Sequence, residues 1–296
     1  MFTSSSIYIT GSSGFLGKNI LSYFDERVSY TFYKKDSRIE INEDIVLHLA
    51  GKAHDLHSNI NHEEYYMVNT ELTKRVFDAF LASKARVFIA FSSVKAAADS
   101  ISGILYENHN CNPQTHYGKS KLLAEQYILS KKIPKNKRVY ILRPCMIHGP
   151  GNKGNLNLLY KLVSKGIPWP LGKFKNKRSF CSIDNLLFII KELIDGEVIP
   201  SGVYNIADDK PLSTNEVVSF IAESQNSNFR ILKVSKSLIL FFSKIGDLFR
   251  IPFNSQRLQK LTESYVVDNT KIKSAIGKTL PVSSKTGLMK TFKSFK

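Results

Sequence analysis

Ser6-Ile7-Tyr8-Ile9-Thr10-Gly11-Ser12-Ser13-Gly14-Phe15-Leu16-Gly17 decides the fold of this chain. The first five residues form a short apolar run of strand type, and from Phe15 to Phe24 apolar residues recur at helical spacing. Three glycines lie between and just inside these elements. Such a loop lets the backbone approach a pyrophosphate, while the first helical N–H groups and the helix dipole face its negative charge. The spacing is Gly-x-x-Gly-x-x-Gly, which departs from the commonest Gly-x-Gly-x-x-Gly fingerprint. Glycines also make ordinary turns, but here the strand and the helix fall where dinucleotide binding requires them. Gly11, Ser13, Gly14, Phe15, Leu16 and Gly17 are therefore expected against a dinucleotide.

Outward from that stretch, strands alternate with helical segments to about residue 143, the pattern of a doubly wound α/β sheet. Later apolar runs at Arg178–Ile183 and Val203–Ile206 are separated by helical patterns near 155–165, 184–195 and 214–224. A chain of 296 residues, 43% apolar, can bury one large core or two coupled ones. No repeat, low-complexity block or linker divides it.

Tyr-x-x-x-Lys occurs three times, at Tyr30/Lys34, Tyr117/Lys121 and Tyr127/Lys131. Such spacing puts both side chains on one helix face, where an ammonium can stabilise a phenolate and lower a tyrosine pKa that is ordinarily about 10. The Tyr30 and Tyr127 pairs read as solvated helix pairs. The Tyr117 pair differs because Asn112-Pro113-Gln114-Thr115 starts a helix just before it. Ser93 also closes an apolar strand, Arg86–Phe91, at the end where open α/β sheets place ligands. Ser93, Tyr117 and Lys121 can thus move a proton on a carbinol or ketone while a dinucleotide moves the hydride.

With these motifs the chain resembles the extended short-chain dehydrogenase/reductases that act on nucleotide sugars as epimerases, dehydratases and reductases. The resemblance rests on Thr10–Gly17, His48-Leu49-Ala50-Gly51, Asn69, Phe91-Ser92-Ser93, Tyr117–Lys121, Leu142-Arg143-Pro144, His148–Gly151, Arg178-Ser179-Phe180 and Asp184-Asn185-Leu186, and runs on to Gly287-Leu288. It implies a Rossmann doubly wound parallel sheet over 1–149 and a smaller α/β C-terminal substrate-binding region over 150–296, interleaved in one compact body. It also implies that Leu49, Ala50, Gly51, Asn69, Tyr117, Lys121 and Pro144 line the cofactor, and that the protein is a homodimer. Substrate contacts would be Ser93, Tyr117, Asn155 and Arg178, with Arg178 clamping a diphosphate through its two-pronged guanidinium.

Dehydratases of this group carry acids just after the active Ser or Thr, but Val94-Lys95 follow Ser93, so dehydration is disfavoured. NAD users commonly place an acid near the end of the second strand, about Val28–Tyr33. Here Lys34-Lys35 follow, with Asp36 slightly late, and lysines suit the 2′-phosphate of NADPH. The expectation is therefore NADPH-dependent reduction of the C4 ketone of a UDP-4-keto-6-deoxy-N-acetylhexosamine, giving UDP-N-acetylquinovosamine for surface polysaccharide. The Pro168–Gly172 and Asn176–Ser179 segments resemble that subgroup. Alternatives are a UDP-sugar 4-epimerase holding NAD tightly and, more remotely, a non-catalytic dinucleotide-binding protein.

The formal charge of +17 concentrates at Lys131–Arg138, at Lys173–Arg178, and in a tail from Asn269 with seven lysines and no acid. No nucleic-acid module is recognisable. A basic solvated surface facing an anionic substrate is the plain reading, with weak peripheral contact to anionic lipid as a further expectation. Leu238–Phe242 is too short to span a bilayer. Cys111, Cys145 and Cys181 cannot all pair and fit a reducing compartment, and with no secretory signal apparent the expectation is cytoplasmic. His54, His57 and His62 match no familiar metal spacing, so no metal is expected.

Overall fold

The computed structural model describes residues 6–24, 28–35, 37–52, 61–152, 154–249 and 253–295. The strands are β1 (Ser6–Thr10), β2 (Ser29–Phe32), β3 (Ile45–His48), β4 (Val87–Phe91), β5 (Ile104–Leu105), β6 (Arg138–Pro144), β7 (Met146–His148), β8 (Phe180–Ser182), β9 (Gly202–Ile206) and β10 (Val266–Val267). The helices of the first half are α1 (Phe15–Tyr23), α2 (His62–Tyr65), α3 (Leu72–Ala82) and α4 (His116–Ser130). A π-helical turn, Tyr66–Glu71, joins α2 to α3. The second half adds α5 (Asn155–Ser164), α6 (Ile183–Asp195), α7 (Thr214–Ser224), α8 (Lys236–Leu248), α9 (Ser255–Thr262), α10 (Thr270–Ile276) and α11 (Ser284–Lys293).

Six strands form one sheet in the order β2-β1-β3-β4-β6-β9, every neighbouring pair parallel. The chain leaves β1 for β2 on one side and crosses back to β3 on the other. That reversal opens a crevice at the carboxyl ends of β1 and β3, where such sheets bind ligands.

Strand alternation supplies a core on each face. Ile7 and Ile9 join Ile20 of α1 and Leu186 and Ile190 of α6 on one side. Tyr8 joins Phe77 and Phe80 of α3 and Ile128 of α4 on the other. Burying each such side chain contributes roughly 1.5–3 kcal/mol. Residues beyond 150 build a further core around Trp169, Leu171, Val218, Ile221, Leu288 and Phe292. They also lend β9 and α6 to the main sheet, so the second half completes the first.

Candidate active site

Gly11 has φ +75°, and a Cβ there would lie 2.6 Å from the Ala50 nitrogen. Only glycine meets both demands. A Cβ on Gly17 would sit 2.5 Å from Ser12 Cα, so α1 packs directly on the loop that feeds it. Gly14 caps α1 without a side chain, and no acid occupies the first turn. The leading N–H groups and the positive helix end are thus left for an external anion. Ser13 is exposed beside them, while Phe15 and Leu16 are half-buried. This cradle fits a dinucleotide diphosphate.

Lys34 and Lys35 follow β2 and are exposed. They stand beside the end of β1, because Phe32 pairs with Ile9 and the Tyr33 N–H donates to the Ile9 carbonyl at 3.0 Å. Asp36 lies outside the described residues. Beyond β3, the Leu49 N–H donates to the Thr10 carbonyl and the Ala50 N–H to the Thr10 hydroxyl, both at 3.1 Å. A Cβ on Gly51 would meet Lys121 Nζ at 2.8 Å and Asn69 Oδ1 at 3.2 Å. Asn69 accepts from the Lys52 N–H at 2.8 Å and donates to Ser120 Oγ at 3.0 Å. One buried amide therefore ties the loop after β3 to α4. It sits in the π-helical turn, a backbone irregularity frequent at functional positions.

The start of α4 is pinned twice. Thr115 Oγ1 accepts from the Gly118 N–H at 3.1 Å. Asp99 accepts from the Gln114 and Thr115 N–H groups at 2.6 and 3.1 Å and from the Thr115 hydroxyl at 2.9 Å. Burial pushes the Asp99 pKa up, but these hydrogen bonds outweigh it and hold it below the usual value. A Cβ on Gly118 would fall 2.5 Å from the Lys95 carbonyl oxygen, so α4 rests on the turn that follows Ser93. This closeness sets the Ser93 hydroxyl beside Tyr117, where it pulls the phenol pKa down.

Tyr117, Lys121 and Glu125 recur every fourth residue along one face of α4. Lys121 Nζ donates to the Phe91 carbonyl at 2.7 Å, and burial pulls its pKa down to about 8 against the opposing pull of Glu125. Glu125 pairs with Arg143 of β6 at 2.5 Å, both buried, and accepts from the Ser92 hydroxyl. The Arg143 of the Leu-Arg-Pro motif is thus a tie that holds the Lys121 face to the sheet, and Pro144 ends β6, buried. Burial pushes the Tyr117 pKa up, and the Ser93 hydrogen bond pulls against it. The Lys121 ammonium, expected to lower that pKa, is turned to the Phe91 carbonyl instead.

Arg178 is half-buried, and its backbone bridges to Leu212 and Tyr265. Its guanidinium donates to the Lys260 carbonyl at 2.6 Å. Burial pulls its pKa down, opposed by the Glu263 carboxylate and by Cys145. Cys145 follows Pro144, and Lys95, which also feels Arg178, follows Ser93 by two residues. Arg178 bridges to Tyr265, whose hydroxyl donates to the Val94 and Ala98 carbonyls at 3.1 and 2.7 Å, so it lies on the side of Ser93. Asn155 is exposed at the first position of α5.

The family model described as "NAD dependent epimerase/dehydratase family" matches residues 7–207. The chain belongs to this family. It is similar to the UDP-glucose 4-epimerase of Vibrio cholerae, 29% identical over 98% of this chain and 95% of that protein. It is also similar to the N-acetyl-alpha-D-glucosaminyl-diphospho-ditrans,octacis-undecaprenol 4-epimerase of Escherichia coli O157:H7, 26% identical over 96% of this chain and 93% of that one. In fold it matches the UDP-N-acetylglucosamine 4-epimerase from Bacillus cereus, with TM-score 0.75 and 19% identity, covering 98% of both chains. The chain is thus an NAD-dependent enzyme of the nucleotide-sugar epimerase/dehydratase class, and its cofactor is a nicotinamide dinucleotide.

Within this epimerase/dehydratase fold, other motif residues have structural work. His148 and Asp208 are fully buried 3.5 Å apart, and His148 also contacts the Thr291 hydroxyl at 2.9 Å, fastening α11. Asn185 donates to Asp208 at 2.6 Å. Tyr30 lies in β2, so the Tyr30/Lys34 pair is not helical at all. Tyr127 and Lys131 are the expected surface pair, with Nζ 4.4 Å from the ring centroid. All three cysteines are free, and burial raises the Cys145 and Cys181 thiols. His62 stacks on His116 at 4.0 Å, whereas His54 and His57 lie outside the described residues. Asp99, Glu125 and the Arg143 tie escaped the sequence reading; only the fourth-residue step from Lys121 to Glu125 hinted at them.

Proposed function

We propose that the enzyme is a UDP-sugar 4-epimerase. The observation that carries this reading is that Gly118 packed on the Lys95 carbonyl sets Tyr117 beside Ser93, with Lys121 one turn along and no carboxylate directly after Ser93. That equipment moves a proton at a single carbinol oxygen but has no group placed to expel a neighbouring hydroxyl. The two full-length 4-epimerase relatives support epimerisation over net reduction, the reverse of the balance struck on Lys34-Lys35 alone.

The glycine loop and the start of α1 would hold the dinucleotide diphosphate, with Leu49, Ala50, Gly51, Asn69 and Pro144 along the rest of the molecule. When bound, the dinucleotide takes up and gives back hydride. Tyr117 accepts the C4 hydroxyl proton as that carbon is oxidised and returns it as the carbon is reduced. Ser93 orients the C4 oxygen, and Lys121, one turn along α4, would favour the tyrosinate by swinging its ammonium from the Phe91 carbonyl toward the phenol. Inverting one carbon through its ketone requires the sugar to present its other face. Arg178 would hold the diphosphate while the sugar turns, and Asn155 would add a polar contact.

A second reading, NADPH-dependent reduction of a UDP-4-keto-6-deoxy-N-acetylhexosamine to UDP-N-acetylquinovosamine, is favoured by the two exposed lysines after β2. NMR of the purified protein with UDP-glucose and UDP-N-acetylglucosamine separates the two. Formation of the 4-epimer without net consumption of cofactor supports epimerisation. Turnover of the keto sugar with stoichiometric NADPH loss, and no epimer from either UDP-sugar, would replace it with reduction.

A further inference from the structure

Helix α8 buries its thin face and exposes its bulky one. Ile239, Ser243 and Gly246 are the buried residues, at i, i+4 and i+7. Ser243 Oγ lies 3.3 Å from Ser255 Oγ of α9, and a Cβ on Gly246 would fall 1.8 Å from the Phe253 carbonyl oxygen. Leu238, Leu240, Phe241 and Phe242 are between 46 and 58% exposed, and Leu248 and Phe249 are 77 and 68% exposed. At about 100° per residue, Leu238, Phe241, Phe242, Ile245, Leu248 and Phe249 share one sector roughly 120° wide. Lys236, Ser237, Lys244 and Asp247 share the neighbouring polar sector. The helix cannot roll its aromatic side inward, because only glycine fits against the backbone at Phe253.

The surroundings are strongly cationic. Residues 228–260 contain seven Lys or Arg and a single acid, Asp247, in a chain of net charge +17. Arg230, Lys233, Lys236, Lys244, Arg257 and Lys260 are all exposed. We propose that α8 lies in the surface of an anionic phospholipid bilayer, its apolar sector among the upper acyl chains and its lysines among the headgroups. With 13 residues it is too short to cross, and among the described residues no helix is long and apolar enough to do so. A second copy is a poorer occupant, because a two-fold interface would set this cationic surface against itself. An anionic bilayer satisfies both the apolar sector and its charge.

The test is co-sedimentation of the full chain with phosphatidylcholine vesicles, with and without about 30% phosphatidylglycerol. Wild type should partition at least about tenfold more strongly onto the anionic vesicles, and about 0.5 M salt should remove most of that difference. The triple variant Leu238→Ser/Phe241→Ser/Leu248→Ser should lose at least about tenfold in partitioning while its thermal transition stays near wild type, since these side chains are exposed. Phe241→Trp gives a second readout that needs no disruptive change. The one native tryptophan, Trp169, is buried, so quenching by brominated anionic lipid reports position 241. No wild-type sedimentation, equal partitioning by the triple variant, or an unquenched indole at position 241 would overturn the proposal. Dimerisation abolished by the triple variant, without vesicle binding, would overturn it in favour of a second copy. Vesicle-independent capture of an acidic protein, lost in the same variant, would overturn it in favour of a protein partner.

Discussion

Lys121→Met should stabilise the fold and abolish turnover together. Burial pulls the Lys121 pKa from 10.5 to about 8. At about 1.4 kcal/mol per unit, the charged ammonium costs the folded state roughly 3 kcal/mol. Methionine fills similar space without a charge, but it leaves the Phe91 carbonyl without the 2.7 Å donor, a loss of about 1–2 kcal/mol. The net gain at neutral pH is then about 1–2 kcal/mol, or a few degrees in Tm for a chain of this size. The sign of the pH dependence follows from proton binding. Between about pH 8 and 10.5 the unfolded chain holds the Lys121 proton more tightly than the folded one, so wild-type stability from this group rises with pH. The penalty is present in full below the folded pKa and fades as pH rises through that window, while the methionine variant has no such dependence. Urea unfolding of both proteins at about pH 7 and pH 9.5 measures it. A variant less stable than wild type at pH 7, or a gap that does not shrink by pH 9.5, would refute the reasoning.

Gly118→Ala drives a Cβ into the Lys95 carbonyl at 2.5 Å. It should cost about 1–3 kcal/mol in denaturant unfolding and, by parting Tyr117 from Ser93, about tenfold or more in kcat. Converting Lys34 and Lys35 together to Ala should weaken NADPH about tenfold more than NADH in fluorescence titrations; equal losses would make both lysines simple surface residues. Arg178→Ala should weaken UDP about ten- to a hundredfold by calorimetry with dinucleotide affinity unchanged, and Arg178→Lys should recover only part.

What could be read from the sequence was local. The β1–glycine–α1 unit needs only contiguous residues, and its three glycines stand where neighbouring backbone leaves no room for a Cβ or demands a left-handed turn. Ser93 and Tyr117 were legible because each sits at the boundary of a recognisable element. Their juxtaposition was not, since it depends on Gly118 resting on the turn at Lys95. The Glu125–Arg143 tie spans 18 residues and the Asp99 anchor 16, and neither has a short-range pattern. The i, i+4 rule misled at Tyr30, because a spacing argument assumes a helix and β2 is a strand. The apolar run at Leu238–Phe242 was visible as composition, but its outward direction is fixed by Gly246 meeting Phe253, a tertiary fact.

The central claim is that Tyr117 moves the proton at the substrate's C4 oxygen. Turnover of Tyr117→Phe, measured with the substrate found by NMR under conditions where chemistry limits the rate, tests it most directly. The ring packing against Tyr65 is kept and only the transferable proton is lost. The account predicts a fall in kcat of about 10²-fold or more with dinucleotide affinity unchanged. Retention of more than about half the wild-type kcat would contradict it.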